Sequence, residues 1–235
     1  MNVLSSVRTD FSSPVFAAWR EAAGDDWTAY IDHEFVRRLG DGSLPRASFI
    51  HYLIQDYVFL RHFARAWALA VVKANSREEM RIAASTVDAL VNHELPLHVG
   101  ICAEEGISED ELFAAEEAPE NLAYTRFVLD AGHSGDFLDL MAVLAPCVMG
   151  YGEIGTRLAA TAAADTPYRR WIDTYAGQDY QEVCHRAGQL IEQAARDRLG
   201  STPRETERWR HLCRQFRIAT RLEAAFWQMG LRGHA

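Results

Sequence analysis

Cysteine is scarce: four residues in 235, and no two of them form a CxxC pair. Cys102, Cys147, Cys184 and Cys213 lie too far apart to read as a disulfide framework or a zinc site, so free thiols in a reducing compartment are expected. No stretch reaches the roughly 18 consecutive apolar residues of a membrane span, and none is predicted. Residues Met1 to Arg8 lack a basic region followed by a long apolar run, so a secretory leader is not expected and a cytoplasmic location is. Basic residues are outnumbered, 24 against 33 acidic, for a formal net charge of −9. That balance argues against a nucleic-acid partner, whose phosphates call for a basic patch or stripe. No P-loop, GxGxxG or GxSxG motif occurs.

What the chain does have is helical periodicity. Apolar residues make up 49% and charged residues 24%, ordinary for a globular protein. A first helical stretch closes at Gly24. A second is predicted from about Trp27 to Arg38, ending at Gly40-Asp41-Gly42. Ser43-Leu44-Pro45 supplies a candidate N-cap and a first-turn proline for a long helix reaching Ala74. Phe49, Leu53, Leu60, Phe63 and Trp67 step along it by threes and fours, singly or summed, as one buried stripe. Asn75-Ser76 caps the next helix, read as continuous from Arg77 to Gly106. Ser108 and Glu111 form a capping-box pattern.

Pro119 opens a helix through Tyr124 to Ala131, with Gly132 to Gly135 as a turn. Phe137 to Ala163 reads as a buried helix, Tyr168 to Tyr175 as a short one, and Gln178 to Leu199 as an amphipathic one. Thr202-Pro203 opens the last, running to Met229. With no repeat, linker or composition shift, one all-α domain over residues 1–235 is expected.

Three polar side chains interrupt stripes that otherwise read as buried. Asp56 lies on the seam of Phe49, Leu53, Leu60 and Phe63, where an unpaired carboxylate costs several kcal/mol. An ion pair to an arginine of another helix would explain it structurally. Cys147 follows Pro146, and Tyr151 sits one turn later on the same face, with Gly150 leaving room beside it. A buried cysteine is commonly inert packing, a reading that suits Cys102, Cys184 and Cys213, which lack such company. Glu223 borders Phe226 and Trp227, where desolvation would raise its proton affinity into a range useful for acid–base work. Glu94 and His98, with His93 adjacent, form a possible one-face metal pair. A di-iron bundle needs a second Glu-x-x-His and two further glutamates, and no second copy with that spacing is present.

These residues resemble the TenA (thiaminase II) family. Asp32-His33-Glu34-Phe35-Val36, Asp41 to Pro45, Phe49 to Tyr52, Gln55-Asp56-Tyr57 and Leu60 are similar to its N-terminal signature. Pro146-Cys147 with Tyr151, Glu153, Ile154 and Gly155 is similar to its nucleophile segment. Trp171-Ile172 with Tyr175, and Glu223 with Phe226 to Met229, resemble its later blocks. Asp-His-Glu before Phe35 is less typical than the family's His-Pro.

The resemblance implies an all-α, heme-oxygenase-like bundle, assembled as a tetramer, without a metal or organic cofactor. It implies hydrolysis of 4-amino-5-aminomethyl-2-methylpyrimidine to the hydroxymethyl pyrimidine, with cleavage of thiamin as a further activity. By the same resemblance Cys147 is the nucleophile. Glu223 serves a ring nitrogen, and Asp56 fixes the aminopyrimidine edge. Tyr151 orients the thiol, Tyr124 and Phe59 wall the ring, and Tyr175 completes the polar rim. Two other readings stay open on the residues alone. One is an oxidase or oxygenase on the same fold, and the other is a non-catalytic regulatory or binding protein.

Overall fold

The computed structural model describes residues 10–200 and 203–233, and among these every regular element is helical. Twelve helices form the described chain: α1 Pro14–Ala23, α2 Asp25–Ile31, α3 Glu34–Asp41, α4 Arg46–Lys73, α5 Arg77–Ala89, α6 Leu95–Glu104, α7 Glu109–Ala114, α8 Pro119–Ser134, α9 Phe137–Thr161, α10 Arg169–Ala176, α11 Gln178–Leu199 and α12 Glu207–Arg232. The centre is α9, flanked by α8, α10, α11 and α12, while α4 and α12 close the core and α5 covers α4. By length and composition α9 could cross a membrane, but 89% of its most apolar window is buried inside the protein. Its apolarity is that of a core helix.

Local chemistry sets most of the ends. Ser76 Oγ accepts from the Glu79 amide, and Ser108 and Glu111 form the expected capping box. Asp136 and Asp139 form another at the start of α9, where Arg208 Nη1 lies 2.6 Å from Asp139 and ties α12 to it. Several boundaries differ from the sequence reading. The stretch expected from Trp27 to Arg38 is two helices, because His33 leaves helical geometry and its Nδ1 caps the Phe35 amide at 3.2 Å. Ser43 does not cap α4; its amide donates to Asp41 Oδ1 at 2.8 Å, and Pro45 stands at the N-cap.

The helix expected from Arg77 to Gly106 contains a π-turn, Leu90–Glu94, in which the Leu95 amide reaches back five residues to the Leu90 carbonyl. Pro96 has no N–H to give the Asn92 carbonyl, so the ladder has to shift there. Gly132 is inside α8 rather than in a turn. A Cβ there would come within 2.6 Å of Leu140 and 2.7 Å of Leu69, so close packing explains the glycine. The last helix is capped by Thr206, after a 3₁₀ turn at Pro203–Glu205, and passes Met229 to reach Arg232. Thr202, like Met1 to Arg8, lies outside the described residues.

One buried ion pair joins α5 to α11. Arg198 lies 2.6 and 2.9 Å from the two Glu79 carboxylate oxygens, with the side chains 7% and 1% exposed. Removing the cation leaves a buried anion without its partner, so Arg198→Met is expected to cost about 3–5 kcal/mol. Urea unfolding measures this, and a loss below about 1 kcal/mol would mean that solvent reaches the pair.

Candidate active site

Between α4, α5, α9, α10 and α11 lies a cavity of about 490 Å³, within the range usual for small-molecule sites. Its wall is largely apolar and aromatic, including Leu60, Phe63, Trp67, Tyr151, Tyr175 and Tyr180. The exposed residues Arg81, Ser85, Val183 and Arg186 mark its mouth. The α5 and α11 walls are the two helices that Glu79 and Arg198 join.

Cys147 and Tyr151 share one face of α9 and both line the cavity, with Asp56 from α4 and Tyr175 from α10. The Glu223 carboxyl, which arrives from α12 and is only 2% exposed, lies near the Cys147 thiol. Tyr124 of α8 donates to Glu223 Oε1 at 2.8 Å. Five helices thus bring the sulfur, both acids and three tyrosines together. Phe59 and Tyr124 stand behind the lining: Phe59 packs on Tyr124 with ring centroids 4.9 Å apart and on Phe63 at 5.4 Å. Of that stack, Phe63 is the ring that faces the cavity.

The space beside Gly150 is filled. A Cβ there would fall 2.3 Å from the Tyr30 ring, whose hydroxyl donates to the Pro146 carbonyl at 3.2 Å. Gly150 therefore admits Tyr30 against α9. Gly150→Ala is expected to destabilise by about 1–3 kcal/mol through overpacking. A thermal melt tests this, an unchanged midpoint showing that Tyr30 moves aside freely.

Asp56 is paired, but with a histidine rather than an arginine. His98 Nε2 lies 2.7 Å from Asp56 Oδ2, and its Nδ1 lies 3.1 Å from the Glu94 carbonyl oxygen. A carbonyl only accepts, so Nδ1 carries a proton, and Nε2 faces a carboxylate. Burial alone would lower the basicity of His98, but the hydrogen bond and charge of Asp56, aided by Glu94, outweigh it and raise it. An imidazolium beside a carboxylate is the consistent state.

Tyr52 Oη donates to Asp56 at 3.4 Å and accepts from Trp171 Nε1 at 3.2 Å. Tyr52, four residues before Asp56, was within reach of the sequence pattern. His98, 42 residues away, was not. The Glu94–His98 pair weighed for metal chemistry is thus directed elsewhere, since both ring nitrogens of His98 are engaged. Among the described residues no group of three or more His, Cys, Asp or Glu side chains is placed to hold a metal ion.

The acids share an unusual electrostatic setting. Burial pushes the Glu223 carboxyl up to about 8, moderated by the Tyr124 hydrogen bond and the nearby Cys147 thiol and reinforced by Asp56. Burial, with the nearby Glu223, Asp56 and Glu94 carboxyls, pushes the Cys147 thiol well above its ordinary value. The sulfur therefore rests as a thiol, and a base would be needed for it to act as a nucleophile.

Comparison with known proteins agrees with this architecture. The TENA/THI-4/PQQC family model matches residues 21–233. The aminopyrimidine aminohydrolase of Halalkalibacterium halodurans is 35% identical over 215 residues, covering 91% of this chain and 93% of that protein. The crystal structure of a TenA family transcription regulator from Silicibacter sp. TM1040 superposes with a TM-score of 0.91 at 57% identity, over 93% of this chain and 97% of its own. A domain of unknown function with a heme oxygenase-like fold, from Shewanella denitrificans OS217, superposes with a TM-score of 0.70 at 12% identity, over 92% and 91% of the two chains. At that identity the likeness is one of fold. It agrees with the all-α, heme-oxygenase-like bundle that the resemblance implied. Matched over nearly its whole length by the family's model, the chain belongs to the TENA/THI-4/PQQC family.

Proposed function

We propose that this protein is a hydrolase of the thiamin-salvage type, converting 4-amino-5-aminomethyl-2-methylpyrimidine and water into the hydroxymethyl pyrimidine and ammonia. One observation carries the reading: a cavity-facing thiol beside a buried glutamic acid from another helix. The Halalkalibacterium halodurans relative, named an aminopyrimidine aminohydrolase, supports it.

The chemistry suits the groups at hand. Glu223, protonated near neutral pH, gives its proton to a ring nitrogen and makes the ring electrophilic. The carboxylate left behind takes the proton of the Cys147 thiol as the sulfur adds to the ring. Ring electrons then expel the group on the exocyclic methylene. Water adds to that methylene, and the sulfur leaves with the pair it brought. Asp56, oriented by His98 and Tyr52, accepts hydrogen bonds from the 4-amino edge. Tyr151 orients the thiol, and Tyr175 completes the rim. Tyr124 steadies Glu223, and Phe59 supports the aromatic wall from behind.

Parallel incubation with the aminomethylpyrimidine and with thiamin, following ammonia and hydroxymethylpyrimidine by mass spectrometry, tests the reading. Release of neither product would overturn it. A cytoplasmic homotetramer of single-domain chains, working without metal or organic cofactor, belongs to the same proposal; light scattering checks the assembly.

A further inference from the structure

Among the described residues, the buried carboxylates are paired. Asp56 meets His98, Glu79 meets Arg198, Asp139 meets Arg208, Glu153 meets Arg20 and Glu223 meets Tyr124. Glu94 is different. It ends the π-turn, lines the cavity on which Cys147 and Asp56 also open, and its carboxyl makes no hydrogen bond or ion pair within the described chain. A half-buried acid that faces a cavity with no donor on the chain is placed to take one from a ligand.

We propose that Glu94 is the subsite for the substrate's primary ammonium group, and so favours substrates whose leaving nitrogen carries N–H donors. The inference rests on the hydrolase reading above and names the group in the cavity that receives the amine. The cations nearby are committed elsewhere or lie outside: His98 is held by Asp56, Arg81 is bound to Glu78, and both Arg81 and Arg186 sit at the exposed mouth. Burial, reinforced by Asp56 and moderated by His98, pushes the Glu94 carboxyl up to about 7. It is thus readily ionised by an arriving cation.

The electron count is consistent. The amine enters as –NH₃⁺ and its carbon–nitrogen bond breaks with the pair remaining on nitrogen, so it departs as neutral NH₃. The ring adduct with the Cys147 sulfur supplies the pair that forms the exocyclic double bond. Glu94 keeps the nitrogen protonated and aligned until that bond breaks. The quaternary thiazolium nitrogen of thiamin has no N–H to offer this carboxylate.

Binding to Cys147→Ala protein, which lacks the nucleophile, separates this from turnover. By titration calorimetry, the aminomethylpyrimidine is expected to bind about 10-fold or more tightly than the neutral hydroxymethylpyrimidine, as befits one charge-assisted hydrogen bond. Adding Glu94→Gln should erase that preference, whereas Glu94→Asp, which keeps the charge, should retain part of it. Equal affinities in Cys147→Ala protein, or a preference that survives Glu94→Gln, would overturn the subsite. A wild-type protein that releases no ammonia yet prefers the amine would leave the subsite standing and sink the hydrolase reading alone.

Discussion

Replacing Cys147 by alanine is expected to lower ammonia release from the aminomethylpyrimidine to about 10⁻⁴ of wild type or less, the scale of losing a nucleophile. The fold should survive. The thiol faces a cavity, so its loss enlarges an existing space rather than opening a void in solid packing, at a cost of about 1 kcal/mol or less. Ammonia assay and thermal melting, run on the same preparation, check both halves. Turnover near wild type would remove the nucleophile assignment. A collapsed melt would instead make Cys147 a packing residue.

Glu223→Gln is expected to slow turnover by about 10²-fold or more, as for a lost acid–base group. The pH profile carries the sharper signature. Glu223 must be protonated to serve the ring, and burial places its carboxyl at about 8. Wild-type activity should therefore fall as pH rises through about 8, and the glutamine variant should lack that limb.

Stability follows the same sign. An unfolded carboxyl ionises near its ordinary value of 4.5, whereas the folded one holds its proton up to about 8. The native state thus binds more protons in that window, and stability declines across it as pH rises. Denaturant titrations at several pH values should show a shallower decline in Glu223→Gln. A profile and slope equal to wild type would make Glu223 a bystander.

The chain's local signals and its tertiary contacts divide the explanation unevenly. Helix identity was legible, because threes-and-fours spacing, caps such as Ser76 and Ser108, and the proline opening α8 act within a few residues. Boundaries failed where a neighbour chose between local options. Gly132 reads as a turn in isolation, yet it lies inside α8, where the Leu69 and Leu140 side chains pack against it. Pro96 lacks the N–H that a continuous helix needs, and the π-turn that results brings Leu90 and Glu94 to the cavity wall.

Cys147, Tyr151, Asp56 and Glu223 were legible as polar residues on apolar faces, a signal that asks for a partner but cannot name one. Asp56 asked for a cation, and the structure answers with His98. Gly150, read as leaving room, proves to be where Tyr30 packs.

By itself, then, the sequence determined an all-α chain, its family, and a short set of residues too polar for their positions. The reason is that periodicity, capping and burial preference are properties of nearby residues. Only the tertiary structure decided that Cys147 meets Glu223, that His98 holds Asp56, and that Glu94 stands without a donor in the same cavity. Those facts depend on how helices far apart in the chain cross, and on the desolvation that their crossing imposes.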